Sequence, residues 1–113
     1  MSHWIDVCAI DDLQPDSGVC ALVAGKQLAL FYLNQTGAVY AVSNFDPIGR
    51  ANVLSRGMIG DLKGEPMVAS PLYKQHYSLR TGACIEYDDI KIAAYPARIE
   101  NRRVLVSMKG GKS

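Results

Sequence analysis

An all-β fold, a sandwich or barrel of short antiparallel strands, is what this sequence predicts. Short apolar or alternating runs recur along the whole chain, each bounded by turn-forming Gly, Pro, Asn, Asp or Ser. No segment carries the apolar spacing of a strongly amphipathic helix. Many short strands with frequent turns belong to sandwiches and barrels rather than to layered α/β folds.

The elements follow in chain order. Residues 4–10 read as a first strand that runs into the polar turn 11–18. Residues 19–24 and 27–33, joined at Gly25-Lys26, have the form of a hairpin with a Gly-containing connection. Asn34-Gln35-Thr36-Gly37 is a second turn and residues 38–43 a fourth strand. From 44 to 65 the alternation fades, broken by Gly49, Gly57, Gly60 and Gly64. Loops of that length in a compact domain are usually functional or disordered, and Ile48, Val53, Leu54, Met58 and Ile59 argue against disorder. A short helical turn is expected over 52–55. Strands resume at 67–70 and 75–79, followed by a turn in which Gly82 supplies a positive φ. Residues 90–95 lead to Pro96, and 97–99 with 103–107 form a closing hairpin. Residues 1–108 are expected to form a single domain, with 109–113 a flexible C-terminal tail.

At 113 residues the chain is long enough to bury a core without a metal or disulfide. Its formal charge of +1 and the absence of a basic run give no case for nucleic acid or an anionic membrane. The N-terminus lacks a basic region followed by an apolar run, and no stretch approaches the roughly 20 apolar residues that span a bilayer. A cytoplasmic location is the expectation. Cys8, Cys20 and Cys84 have no metal-ligand spacing, and each sits among apolar or small neighbours. All three read as small buried hydrophobes, unpaired in a reducing compartment.

Two segments carry the functional signal: Val39-Tyr40-Ala41-Val42-Ser43-Asn44-Phe45-Asp46-Pro47, and residues 68–82 beginning Val68-Ala69-Ser70-Pro71-Leu72-Tyr73-Lys74-Gln75-His76. Their frames resemble the two cluster-binding loops of Rieske iron–sulfur domains, which carry Cys-x-His in the first loop and Cys-x-x-His in the second. Asn44 and Asp46 stand where the first Cys and His would be, and Ser70 and Tyr73 where the second pair would be. A Rieske cluster needs two thiolates on one iron and two imidazoles on the other. A neutral amide oxygen and an unactivated hydroxyl do not replace thiolates, and none of the three cysteines lies in either segment. The expectation is therefore a chain with no cluster, no other cofactor and no catalytic residue of its own. The run Ala94-Tyr95-Pro96-Ala97-Arg98-Ile99, followed by Val104-Leu105-Val106, extends the resemblance over about residues 4–108. It implies a Rieske-like antiparallel sandwich or barrel with a two-loop subdomain.

Asn-Phe-Asp-Pro at 44–47, Asn-Val-Leu-Ser-Arg-Gly at 52–57 and the block 68–76 are, in combination, similar to the small subunits of bacterial NAD(P)H-dependent nitrite reductases. That resemblance implies a partner, a large subunit carrying flavin, an iron–sulfur cluster and sirohaem, which reduces nitrite to ammonium. The small subunit is then required for activity without holding a redox centre. Two alternatives stay open, a Rieske-type electron carrier and a stand-alone protein-interaction module.

Individual residues take roles within this frame. Asp46 is expected to cap its own loop by accepting backbone N–H groups. Pro47 and Pro71 stiffen the loops by fixing φ. His76 reads as a hydrogen-bonded structural residue, with a three-ligand metal site of Asp46, Tyr73 and His76 as the sharper alternative; His3 lies near a free end. A partner-docking surface would use Phe45, Leu72 and Tyr73 as apolar anchors, with Arg56, Lys74, His76 and Arg80 beside them.

Overall fold

Leu28, Ala29, Leu30 and Phe31 are four consecutive residues with no exposed surface, and this one fact sets the architecture. Side chains alternate sides along a strand, so such a run requires cover on both faces of its sheet. In the computed structural model, which describes residues 4–108, that strand lies in the central sheet. His3 and the tail 109–113 lie outside the described residues.

In chain order the strands are β1 (Trp4–Ala9), β2 (Gly18–Val23), β3 (Lys26–Tyr32), β4 (Val39–Ser43), β5 (Phe45–Asp46), β6 (Ala51–Asn52), β7 (Met58–Leu62), β8 (Glu65–Ala69), β9 (His76–Ser78), β10 (Ala94–Tyr95), β11 (Ala97–Glu100) and β12 (Arg103–Ser107). They form a central sheet β10-β4-β3-β2, a second sheet β1-β12-β11, a third β7-β8-β9 and the short pair β5-β6, with antiparallel pairing throughout. Leu28 and Leu30 pack with Val39, Ala41, Tyr95, Val104 and Val106 towards the β1-β12-β11 side. Ala29 and Phe31 pack with Val42, Leu54, Val68, Tyr77 and Ile92 towards the two-loop subdomain. Each large aliphatic or aromatic side chain so buried stabilises the fold by about 1.5–3 kcal/mol relative to exposure. The all-β class is borne out.

Three hairpins close through two-residue turns with positive φ at both positions: Ala24-Gly25 (51° and 80°), Lys63-Gly64 (53° and 86°) and Asn101-Arg102 (51° and 62°). That backbone matches the right-handed twist of paired strands, which is why such short connections suffice. The first turn lies one residue earlier than the sequence suggested: Val23 pairs with Lys26, which belongs to β3.

The larger correction concerns residues 44–65, expected to be irregular. They contain β5, β6 and all of β7, which pairs with β8 from Met58↔Ala69 to Leu62↔Glu65. β7 is an edge strand with Met58, Gly60, Asp61 and Leu62 exposed, so burial imposes no alternation that the sequence could display. The helical turn occupies Leu54–Arg56 rather than 52–55, with Leu54 fully buried. Within residues 90–95, the run that leads to Pro96, only Ala94–Tyr95 is a strand.

Gly82 has the expected positive φ, 83°, and is needed for a second reason. A Cβ built there would lie 2.0 Å from the carbonyl oxygen of Ile92. Positive φ costs a non-glycine residue roughly 1–2 kcal/mol before any clash. We expect Gly82→Ala to lose more than that in urea unfolding; a loss under about 0.5 kcal/mol contradicts this role.

Candidate functional site

The two loops meet at the Asp46 carboxylate, which is fully buried. Its Oδ2 accepts the Ser70 hydroxyl at 2.5 Å. Its Oδ1 accepts Gln75 Nε2 at 2.7 Å, the Tyr77 hydroxyl at 3.1 Å and the Ile48 N–H at 3.0 Å. The carboxylate thus caps its own loop, as expected, and also holds the second loop through three side chains. A carboxylate accepts only, so Gln75 must present its amide nitrogen to it; the Gln75 carbonyl oxygen is buried with no hydrogen-bond partner among the described residues. The loops approach closely enough that a Cβ at Gly49 would meet Leu72 Cδ1 at 2.4 Å.

Burial acts to raise the Asp46 pKa, but the hydrogen bonds from Ser70, the Gly49 and Ile48 N–H groups and Tyr77 outweigh it. The carboxyl is held below its ordinary value. Tyr77 moves the other way: burial, with the Asp46 carboxylate beside it, pushes its hydroxyl pKa up, so Tyr77 stays a proton donor.

Asn44 is buried and ties the first loop to the rest of the domain. Its Oδ1 accepts the Ser55 N–H at 2.7 Å, and its Nδ2 lies 3.3 Å from Gln27 Oε1 and 3.5 Å from Cys20 Sγ. In the second loop, Ser70 Oγ accepts the Leu72 N–H at 3.2 Å while donating to Asp46. Three of the four positions where the resemblance places cluster ligands are therefore buried and hydrogen-bonded. The fourth, Tyr73, is 68% exposed.

The remaining candidate residues divide into two groups. Phe45, Leu72, Tyr73 and Lys74 are exposed on the two loops, and Arg56 is exposed at the end of the short helical turn Leu54–Arg56. His76 and Arg80 are exposed but engaged: His76 Nδ1 lies 2.6 Å from Glu86 Oε2, and Arg80 Nη1 lies 3.4 Å from Glu65 Oε1. Burial acts to raise the Glu86 pKa, but the His76 backbone N–H and side chain outweigh it and hold that carboxyl low. Asp46, Tyr73 and His76 do not converge on a metal site. Asp46 is enclosed by its hydrogen-bond donors, Tyr73 points to solvent and His76 is held by Glu86. The uniform reading of the cysteines also needs correction. Cys84 is buried, but Cys20 is exposed on the edge strand β2, where burial does not reach it.

Sequence reasoning did not assign Gln75 and Tyr77 to the site. The available signal was their spacing, two residues apart around His76, which puts both on the inner side of an extended segment. Gln27 and Cys20, the partners of Asn44, come from a distant hairpin and carry no local signal.

The Rieske-like [2Fe-2S] domain family model matches residues 3–107. The Escherichia coli (strain K12) nitrite reductase (NADH) small subunit is 45% identical over 101 residues, covering 89% of this chain and 94% of that protein. The chain belongs to the nitrite reductase small-subunit family of Rieske-like domains. The solution structure of the nitrite reductase [NAD(P)H] small subunit from Erwinia carotovora superposes with a TM-score of 0.81 at 44% identity, covering 96% of this chain and 83% of that one. A nitrite reductase [NAD(P)H] large subunit from Klebsiella oxytoca is 41% identical over 103 residues, which are 91% of this chain and 11% of that protein. The donor set of this small-subunit family member does not fit the two-iron cluster for which the wider family is named. It offers no thiolate and no imidazole at the four positions, and three of the four groups are consumed by one another, by neighbouring side chains and by backbone N–H groups.

Because the folded-state pKa of Asp46 lies below its unfolded value, its stabilisation is complete above about pH 4. It is lost as pH falls from there through the folded value. Asp46→Ala leaves Gln75, Tyr77 and Ser70 without their acceptor, and we expect about 2–4 kcal/mol lost at pH 7 in urea unfolding. The gap from wild type should narrow by pH 3; a gap independent of pH contradicts the ionised hub. Thiol labelling should reach Cys20 well before Cys84, whose burial also pushes its pKa up.

Proposed function

We propose that this chain is the non-catalytic small subunit of a cytoplasmic NAD(P)H-dependent nitrite reductase, required by a separate large subunit for reduction of nitrite to ammonium. One observation carries the partner: a domain 41% identical to nearly the whole chain occurs inside a large subunit, that of Klebsiella oxytoca. A domain found both inside the large polypeptide and as a separate chain works beside it in either arrangement. Flavin, the iron–sulfur cluster and sirohaem belong to the large subunit in this reading, and this chain holds no cofactor.

The chain's own contribution is a shaped surface. The Asp46 hub fixes the backbone of both loops, so the exposed Phe45, Leu72 and Tyr73 stand on a rigid support. Large apolar groups presented without conformational freedom are suited to anchoring a partner, since little entropy is lost on docking. Electron transfer through this chain has less support, because the four positions offer no cluster donors.

Co-expression with the large subunit, followed by nitrite-dependent nucleotide oxidation with and without this chain, tests the reading. We expect co-purification and a large fall in turnover when the chain is omitted. A large subunit that turns over nitrite equally well alone and does not retain this chain overturns it. Visible absorption with two irons per chain would establish the electron carrier instead. Phe45→Ala and Tyr73→Ala should each weaken association by about tenfold while leaving the unfolding midpoint close to wild type.

A further inference from the structure

The ion pairs of this domain are unevenly placed. Away from the loop tip, Arg80, Arg98, Arg102 and Arg103 each have a carboxylate partner within 3.4 Å. On the two loops and the segments hydrogen-bonded to them, Lys26, Arg50, Arg56, Lys74 and Lys91 are all exposed and have no carboxylate partner among the described residues. Their positions are fixed by the backbone of the two loops and the hairpin beneath them. Arg50 closes the β5–β6 turn with its N–H on the Asp46 carbonyl at 2.6 Å. Arg56 follows Ser55, whose N–H is held by Asn44. Lys74 donates its N–H to the Ser70 carbonyl. The one carboxylate inside the loops, Asp46, is buried and fully engaged. Asp88 and Asp89, just before Lys91, form no ion pair with any of the five among the described residues.

Two of these cations share a concavity. A groove of about 400 Å³ beside the first loop is lined by Lys26 and Lys91 together with Phe45, Asn52 and Tyr95. Cationic ends, an amide and aromatic faces suit a carboxylate on a short aliphatic stem. Lys26 and Lys91 line one groove on a chain of net charge +1, and an opposite charge docking there offsets their mutual repulsion.

We propose that the Lys26–Phe45–Lys91 groove receives an Asp or Glu side chain of the large subunit. Arg50 and Lys74, on the two loops, extend the same attraction, so that the face of the partner meeting them is acidic around its apolar contacts. The inference rests on the partner assigned under Proposed function and adds the chemistry of that partner's surface. Lys63, in the β7–β8 turn and likewise without an ion pair among the described residues, provides an internal control.

The test is binding of the full chain to purified large subunit at 50 and 300 mM NaCl. Lys26→Glu, Lys91→Glu and the milder Lys26→Gln and Lys91→Gln are compared with Lys63→Glu. We expect each reversal to weaken binding by about tenfold or more at low salt, the neutral variants by less, and Lys63→Glu by under about twofold. Wild-type affinity should fall with salt, and the gap between wild type and the reversals should narrow. Wild-type binding with unchanged affinity in the reversals, or binding insensitive to salt, overturns the acidic-partner inference and leaves the partner itself standing. No binding by the wild type overturns both. Reversals that alter only self-association of this chain also overturn the inference.

Discussion

The buried carboxylate of Asp46 is the interaction on which the tip of this domain depends. An unpaired charge in that position would be costly, and the surrounding donors answer it almost completely. Two loops separated by more than 20 residues in sequence converge on one acceptor, and each donor group fixes the segment that carries it. Ser70 and Leu72 set the turn of the second loop; Gln75 and Tyr77 set the strand that leaves it; Ile48 sets the turn of the first. In a cluster-bearing relative, metal–ligand bonds would supply such cross-linking. Here hydrogen bonds to one anion supply it.

The hub works because the rest of the fold presents it with fixed supports. β3 is covered on both sides, so β4 and the first loop that follows it leave a strand with no room to shift register. The same layer buries Phe31 and Ala29 against Tyr77 and Val68, which seats the β7-β8-β9 sheet on the central one. Tyr77 takes part in both: its ring fills the core and its hydroxyl reaches Asp46. Packing and polar order therefore act through one side chain, and the aromatic groups at the tip inherit their positions from both.

Much of this was legible in the sequence. Alternation and turn residues announce β1 to β4 and the closing hairpin, because those strands have one face wet or a clear break at each end. Asp46 as a loop cap was legible too, since Asp-Pro after a strand is strong turn chemistry. β7 was not, for an exposed edge strand interrupted by Gly60 has no burial pattern to leave in the sequence. Nor were the donors to Asp46 assignable, because nothing local in Ser70, Gln75 or Tyr77 says which distant acceptor they face. The same blindness to side-chain direction produced the Asp46, Tyr73 and His76 metal alternative, three residues that the fold points to the interior, to solvent and to Glu86.

Amide hydrogen exchange of Ile48, Ser55 and Leu72 before and after exhaustive chelation tests the account most directly. Their N–H groups are held by Asp46, Asn44 and Ser70, so they report the order of both loops. A metal-free hub predicts protection unchanged by chelation at all three amides and lost at Ile48 and Leu72 in Asp46→Ala. Protection that collapses when metal is removed, or that survives at Ile48 and Leu72 after the loss of Asp46, would contradict it.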